Sequence, residues 1–181
     1  MRLSRKTIVR EIQEGRLLFD PFDPEQIGVS SVDLRLGHTF ISLEEELEEQ
    51  RQAGADVQWR VQNQPWAPFA AKYGRRKDVG LEGFTLEPNK LVLGLVHEYI
   101  RLPPTLAGRV EGKSGPARRR LLIHLTAPTI QAGWDGHLQL ELYNVGPAPI
   151  KLLPEEPICQ LILEEVTEPE QYEGQFQSQT P

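Results

Sequence analysis

Two stretches of this 181-residue chain space their side chains as chemistry requires. In GHLQLELYN (136–144), Leu138, Leu140 and Leu142 alternate with His137, Gln139, Glu141 and Tyr143. That period-two pattern predicts a half-buried strand. A carboxylate on a partly desolvated strand face is pushed toward neutrality, where it can take up and release a proton. Glu141, set between two leucines, is the candidate, although a plain solvated glutamate satisfies the same pattern. The second stretch, EGKSGPAR (111–118), packs two glycines, Lys113, Ser114 and Arg118 into eight residues. Backbone N–H groups and cations on a tight turn suit a phosphate. An ordinary basic turn also fits, since the strand-bound spacing of a P-loop is absent.

Charge narrows the ligand. Arg109, Lys113, Arg118, Arg119 and Arg120 fall within twelve residues of a chain whose net charge is -6. A local basic cluster on an acidic protein points to a small anionic ligand, whereas a nucleic-acid polymer calls for a broadly basic surface. The zinc deaminases need H-x-E and a paired C-x-x-C. Here His38, His97, His124 and His137 are followed two residues later by Phe, Tyr, Thr and Gln, and Cys159 is the one cysteine. That zinc site cannot be assembled, and no metal-ligand set is expected. The G-x-S-x-G elbow and the dinucleotide fingerprint are absent as well. His124, in an apolar run, reads as a core or site-wall residue.

The elements that must hold these residues are mostly strands. Ser4 is a plausible N-cap, Ile8 and Ile12 lie one helical turn apart and Gly15 supplies a stop, which predicts a short helix over 4–14. Val32, Leu34 and Leu36 then alternate with Asp33 and Arg35. Residues 44–80 open on EEELEE and lose periodicity, with isolated Trp59 and Trp66; this reads as an inserted excursion, of functional or mobile character for its length. After Gly80, short β runs punctuated by Pro and Gly follow closely, which predicts a sandwich or barrel and not alternating βα units. One domain over 1–181 is expected. Cys159 reads as a small core residue of a reducing compartment. The first residues lack the apolar core of a signal peptide and no apolar run approaches a membrane span, so a cytoplasmic protein with no membrane partner is expected. The tail 167–181 is polar, yet carries Tyr172 and Phe176.

Taken together, VEGKSGPARRRLLIHLTAPTIQAGWDGHLQLELYN resembles the core of the dCTP deaminases, relatives of the trimeric dUTPases. Those carry G-[RK]-S-S-x-A-R, H-x-T-A, I-D-P-G-[FW]-x-G and a strand ending in L-E. The matches are Gly112-Lys113-Ser114, Ala117-Arg118, His124, Thr126-Ala127, Ile130, Gly133-Trp134, Gly136 and Leu140-Glu141. DPFDPEQIGVSSVDLRLG near the start and YEGQFQSQ in the tail also look like the family's ends, so the likeness spans nearly everything except 44–80.

The resemblance implies a mainly β fold, a distorted barrel or jelly roll with a short N-terminal helix, assembled as a homotrimer with sites between subunits. It implies that Glu141 is the general acid/base activating water at cytosine C4, with no metal at the reacting centre. Ser114 and Arg118 would help set the water, carboxylate and phosphate geometry. Lys113 through Arg118, including Gly115, Pro116 and Ala117, would hold a triphosphate carrying Mg²⁺ on its outer oxygens. Gln139, Leu140 and the Thr126–Ala127 backbone would line the base, and Tyr172, Gln175 and Gln179 belong to a tail (167–181) closing over the nucleotide.

Three positions depart from the pattern: Gly115 for a serine, Gln131 for the aspartate of I-D-P-G, and Gln175 for a basic tail residue. An amide cannot accept a proton at neutral pH. Gln131 therefore argues against a dUTPase-like diphosphatase or a bifunctional deaminase–diphosphatase, unless Asp135 substitutes. A nucleotide-binding homologue without catalysis is the remaining alternative.

Overall fold

The computed structural model describes residues 1–54 and 65–180, apart from the side chains of residues 44–47. In chain order its elements are α1 (Arg5–Gln13), β1 (Leu18–Asp20), a 3₁₀ turn (Pro24–Gln26), β2 (Val32–Ser42), α2 (Glu44–Gln52), α3 (Trp66–Tyr73), β3 (Arg75–Asp78), β4 (Phe84–Leu86), β5 (Leu91–Arg101) and β6 (Leu106–Gly112). There follow α4 (Ser114–Arg118), β7 (Leu121–Leu122), β8 (Thr129–Ile130), β9 (Asp135–Asn144), β10 (Ile150–Leu152) and β11 (Pro157–Glu165). The fold is mainly β, with a sheet that curls into a half-barrel.

Helix α1 follows its sequence signals: the Ser4 hydroxyl accepts from the Thr7 N–H at 3.4 Å, Ile8 is buried, and Gly15 leaves the helix at φ +70°. The main sheet runs β7-β9-β5-β2-β11-β6-β8, all neighbours antiparallel, with β1 also on β5 and β3 on β2; β10 pairs with β4 separately. Its inward leucines and Phe40 form one core with Ile8, Ile100, Cys159 and Trp134. Complete burial pushes the Cys159 thiol far up, as suits a core residue and not a nucleophile.

The central strand β5 keeps β9 along one edge. On the other edge β2 pairs with its first half and β1 with Tyr99–Arg101. The β5–β9 register shifts between Leu95, opposite Gln139, and Tyr99, opposite His137. Such a bulge bends a strand and re-aims its side chains. Glu98 sits within it, 0% exposed, and accepts from the Arg35 N–H at 3.0 Å, Arg35 Nε at 2.7 Å and Gln26 Nε2 at 2.7 Å. A buried carboxylate is tolerable only when satisfied in this way.

Residues 44–80 contain more regular structure than their lost periodicity implies: α2, α3 and the exposed strand β3, which pairs with β2 from Thr39 to Ser42. Trp59 lies outside the described residues. Among the described residues no helix is long and apolar enough to cross a membrane.

Candidate functional site

Strand β9 alternates as its sequence does. Leu138, Leu140 and Leu142 are buried, while His137, Gln139, Glu141 and Tyr143 are half-buried. Glu141 stands opposite Leu93 of β5. Its Oε2 accepts from the Leu125 N–H at 2.8 Å, which ties the carboxylate to the segment joining β7 to β8. Among the described residues Oε1 has no hydrogen-bond partner. One oxygen is thus oriented and the other is available to a water or a substrate proton.

Glu141 lines a cavity of about 400 Å³. Of the residues singled out from the sequence, Ala127, Gln131, Gln139, Leu140, Tyr172 and Gln179 line it too. His124 also faces it, and His124 Nδ1 is buried with no hydrogen-bond partner among the described residues. The remaining wall is mostly apolar, from residues including Leu93, Trp134 and Phe176, with Leu43 from just before the excursion and Trp66 from within it. A largely apolar cavity with a few convergent polar groups is the form of a small-molecule site. Leu43 and Trp66 were missed by sequence reasoning; the single signal was an isolated tryptophan in a polar stretch.

The other candidates sit elsewhere in the chain. Lys113, Ser114, Gly115, Pro116, Ala117 and Arg118, in and just before α4, are not among the cavity's described lining residues, and neither are Thr126 and Gln175. The turn is nevertheless held close: β7, which follows it, pairs Leu121 with Asn144, three residues along β9 from Glu141. Ser114 and Arg118 are exposed, whereas the Lys113 ammonium is bound by the Asp33 carboxylate on β2. Gln175 instead accepts from the Trp66 N–H at 3.3 Å, joining the tail to α3.

Asp135 does not stand in for Gln131 at the cavity. It is not among the lining residues, and its oxygens are occupied: Oδ2 accepts from the Tyr99 hydroxyl, Oδ1 from the Ser178 hydroxyl and N–H, each at 3.1 Å. Burial acts to raise the Asp135 carboxyl, but hydrogen bonds from Tyr99 and Ser178, with Arg101 nearby, outweigh it and hold it below its ordinary value. The same bond to Asp135 raises the Tyr99 phenol.

A family model described as dCTP deaminase-like matches residues 2–166. The chain belongs to that family. It is 36% identical over 178 residues to a protein of Rhodospirillum rubrum named dCTP deaminase, an alignment covering 93% of this chain and 85% of the relative. It is 34% identical over 181 residues to one of Persephonella marina named dCTP deaminase, dUMP-forming, covering 99% and 93%. A Parafrankia protein of the same name is 40% identical over 172 residues, covering 95% and 80%. Among solved structures, the 2'-deoxycytidine 5'-triphosphate deaminase of Agrobacterium tumefaciens superposes with a TM-score of 0.67 at 18% identity. That match covers 89% of this chain and 46% of the other, and it speaks for the fold.

Proposed function

We propose that the chain deaminates dCTP, with Glu141 as the group that moves the proton. The observation that carries this is Glu141 itself, held through Oε2 by the Leu125 N–H and lining a mostly apolar cavity. In the reaction, Glu141 takes a proton from water as its oxygen bonds to cytosine C4, and gives that proton to N3. It then carries the hydroxyl proton to the 4-amino group, which leaves as ammonia while the C4 carbonyl forms. The balance is dCTP plus water to dUTP plus ammonia. A positioned acid/base of this kind contributes about 10²–10⁴-fold to the rate. Gln139 and the Ala127 segment supply polar contacts to the base, and Leu140 with the apolar wall excludes competing water.

The site is completed by a second copy of the chain in a homotrimer. What supports this is that Lys113, Ser114 and Arg118 lie outside the cavity of their own chain, while a triphosphate needs cations beside the bound base. The Lys113 and Arg118 cations, with the Ser114 hydroxyl, suit phosphate oxygens and not a resident divalent ion. Mg²⁺ is accordingly read as arriving on the triphosphate, where it neutralises phosphate charge.

A second reading is favoured by the names of several relatives: continuation to dUMP and pyrophosphate. Against it, the Gln131 amide cannot take a proton and Asp135 is committed to Tyr99 and Ser178. The test is incubation with dCTP, dCMP, CTP and dUTP plus Mg²⁺, with chromatographic separation of products. dUTP and ammonia from dCTP, with added dUTP untouched, is the expected result. dUMP and pyrophosphate would favour the second reading, and four unchanged nucleotides would leave a binding protein without catalysis.

A further inference from the structure

The tail runs beside the first residues of β9 and the turn before it, in the same chain. The Tyr172 N–H donates to the Ala132 carbonyl at 3.0 Å, Trp134 Nε1 to the Phe176 carbonyl at 2.7 Å, and the His137 N–H to the Gln179 carbonyl at 2.8 Å. The receiving surface is shaped for it. A Cβ on Gly136 (φ +138°) would stand 2.7 Å from the Gln179 nitrogen, and one on Gly133 (φ +77°) 2.8 Å from the Gln171 side chain. At Gly136 a side chain is barred by the tail backbone as well as by the backbone conformation, and at Gly133 by the backbone conformation, since the Gln171 side chain could shift.

Most of these bonds involve main-chain atoms and could form with many tail sequences. The bond from the Ser178 hydroxyl to the Asp135 carboxylate could not, since it needs a hydroxyl at that place. Ser178 takes the left-handed conformation at φ +55°, unfavourable for a residue with a Cβ. Asp135 meets it three times: its carbonyl accepts from the Ser178 N–H at 2.9 Å, and its Oδ1 from the N–H and the hydroxyl at 3.1 Å each. The carboxylate cannot swing away, because its other oxygen is held by the Tyr99 hydroxyl on β5.

We infer that Asp135 is a positioning residue that latches the tail through Ser178, and so sets the wall that Tyr172, Phe176 and Gln179 give to the Glu141 cavity. Asp135 is not itself among the described residues that line the cavity. It converts a polar terminal segment into an ordered wall closed over its own chain. The kinetic consequence, tighter dCTP binding with the chemical step untouched, rests on the proposed deaminase reading; the structural consequence does not.

The test uses the full chain with Asp135→Ala, Ser178→Ala, the double variant and Asp135→Asn. Hydrogen exchange is followed at 172–180 and, as reference, at 138–144; the KM and kcat for dCTP are measured in parallel. A hydrogen bond to a charged group corresponds to about tenfold or more in an equilibrium. Asp135→Ala is therefore expected to speed tail exchange by about tenfold and to raise KM by a similar factor, and Ser178→Ala, which keeps the bonds of the Ser178 N–H, to do so by less, with kcat and exchange in 138–144 unchanged in both. The double variant is expected to match Asp135→Ala, since loss of the carboxylate already leaves the Ser178 hydroxyl without its acceptor. Asp135→Asn, which keeps an acceptor for Ser178, is expected to fall between wild type and Asp135→Ala. Unchanged tail exchange in both single variants, or additive effects in the double, would overturn the latch. If wild type gives no product from dCTP, the exchange measurement still decides the latch, and only the deaminase reading fails.

Discussion

Leu142 and Ser178 belong to neighbouring parts of the molecule that are ordered by different forces. Leu142 is fully buried in β9, in one core cluster with Leu36 of β2, Val92 of β5 and Leu161 of β11, with a continuous antiparallel ladder around it. Ser178 is exposed, in a segment whose order comes from individual polar bonds to Ala132–His137. The sheet supplies a rigid floor for Glu141, and the tail a wall that can be lost without the floor. Rigid placement of the reacting group and looser placement of the enclosing wall is how a site can be both accurate and accessible.

Variants separate the two regions. Removing a buried partner in the sheet is expected to cost most: Glu98→Ala strands Arg35 and Gln26 and should destabilise by about 3–5 kcal/mol, seen as a large drop in the denaturation midpoint. Leu142→Ala leaves a cavity in the core and should cost about 2–5 kcal/mol in the same measurement. Truncation after Glu170 removes the tail and is expected to cost about 1 kcal/mol or less while weakening nucleotide binding. A truncated chain that melts as low as Leu142→Ala would erase the distinction between the regions.

The smallest effect concerns acid. Glu11 is held below its ordinary value by the Arg16 hydrogen bond, which outweighs burial. A carboxylate whose folded pKa is depressed contributes stability above its unfolded pKa and loses it as pH falls through the folded value. Stability should therefore decline as pH drops below about 5, and Glu11→Gln should flatten part of that decline. Denaturant midpoints across pH 7 to 3 would read it.

What the sequence made legible follows the same division. Alternation in 136–144 identified β9 and the face that carries Glu141, and Ser4 with Gly15 bounded α1, because both signals are local and repeat. The exposed strand β3, RRKD, carries no apolar residue, and it is a strand only because Thr39–Ser42 of β2 offer it an edge. Helix α3 has Trp66, Phe69 and Tyr73 at helical spacing, but its eight residues include Pro68 and none is buried, so the stripe was too short to stand out. The Asp135–Ser178 contact joins residues 43 apart through two short polar side chains, and no periodicity marks such a pair. Separation of Lys113–Arg118 from the cavity was equally unreadable, since it depends on where α4 and β7 leave the sheet.

The central claim is that Glu141 moves the proton in dCTP deamination. The most direct test is Glu141→Gln, an isosteric change that keeps the hydrogen-bonding shape but cannot accept a proton, measured for dCTP turnover and, separately, for dCTP binding. The expected result is a fall in kcat of about 10²–10⁴-fold with dCTP still bound. Turnover at the wild-type rate by that variant would contradict the account.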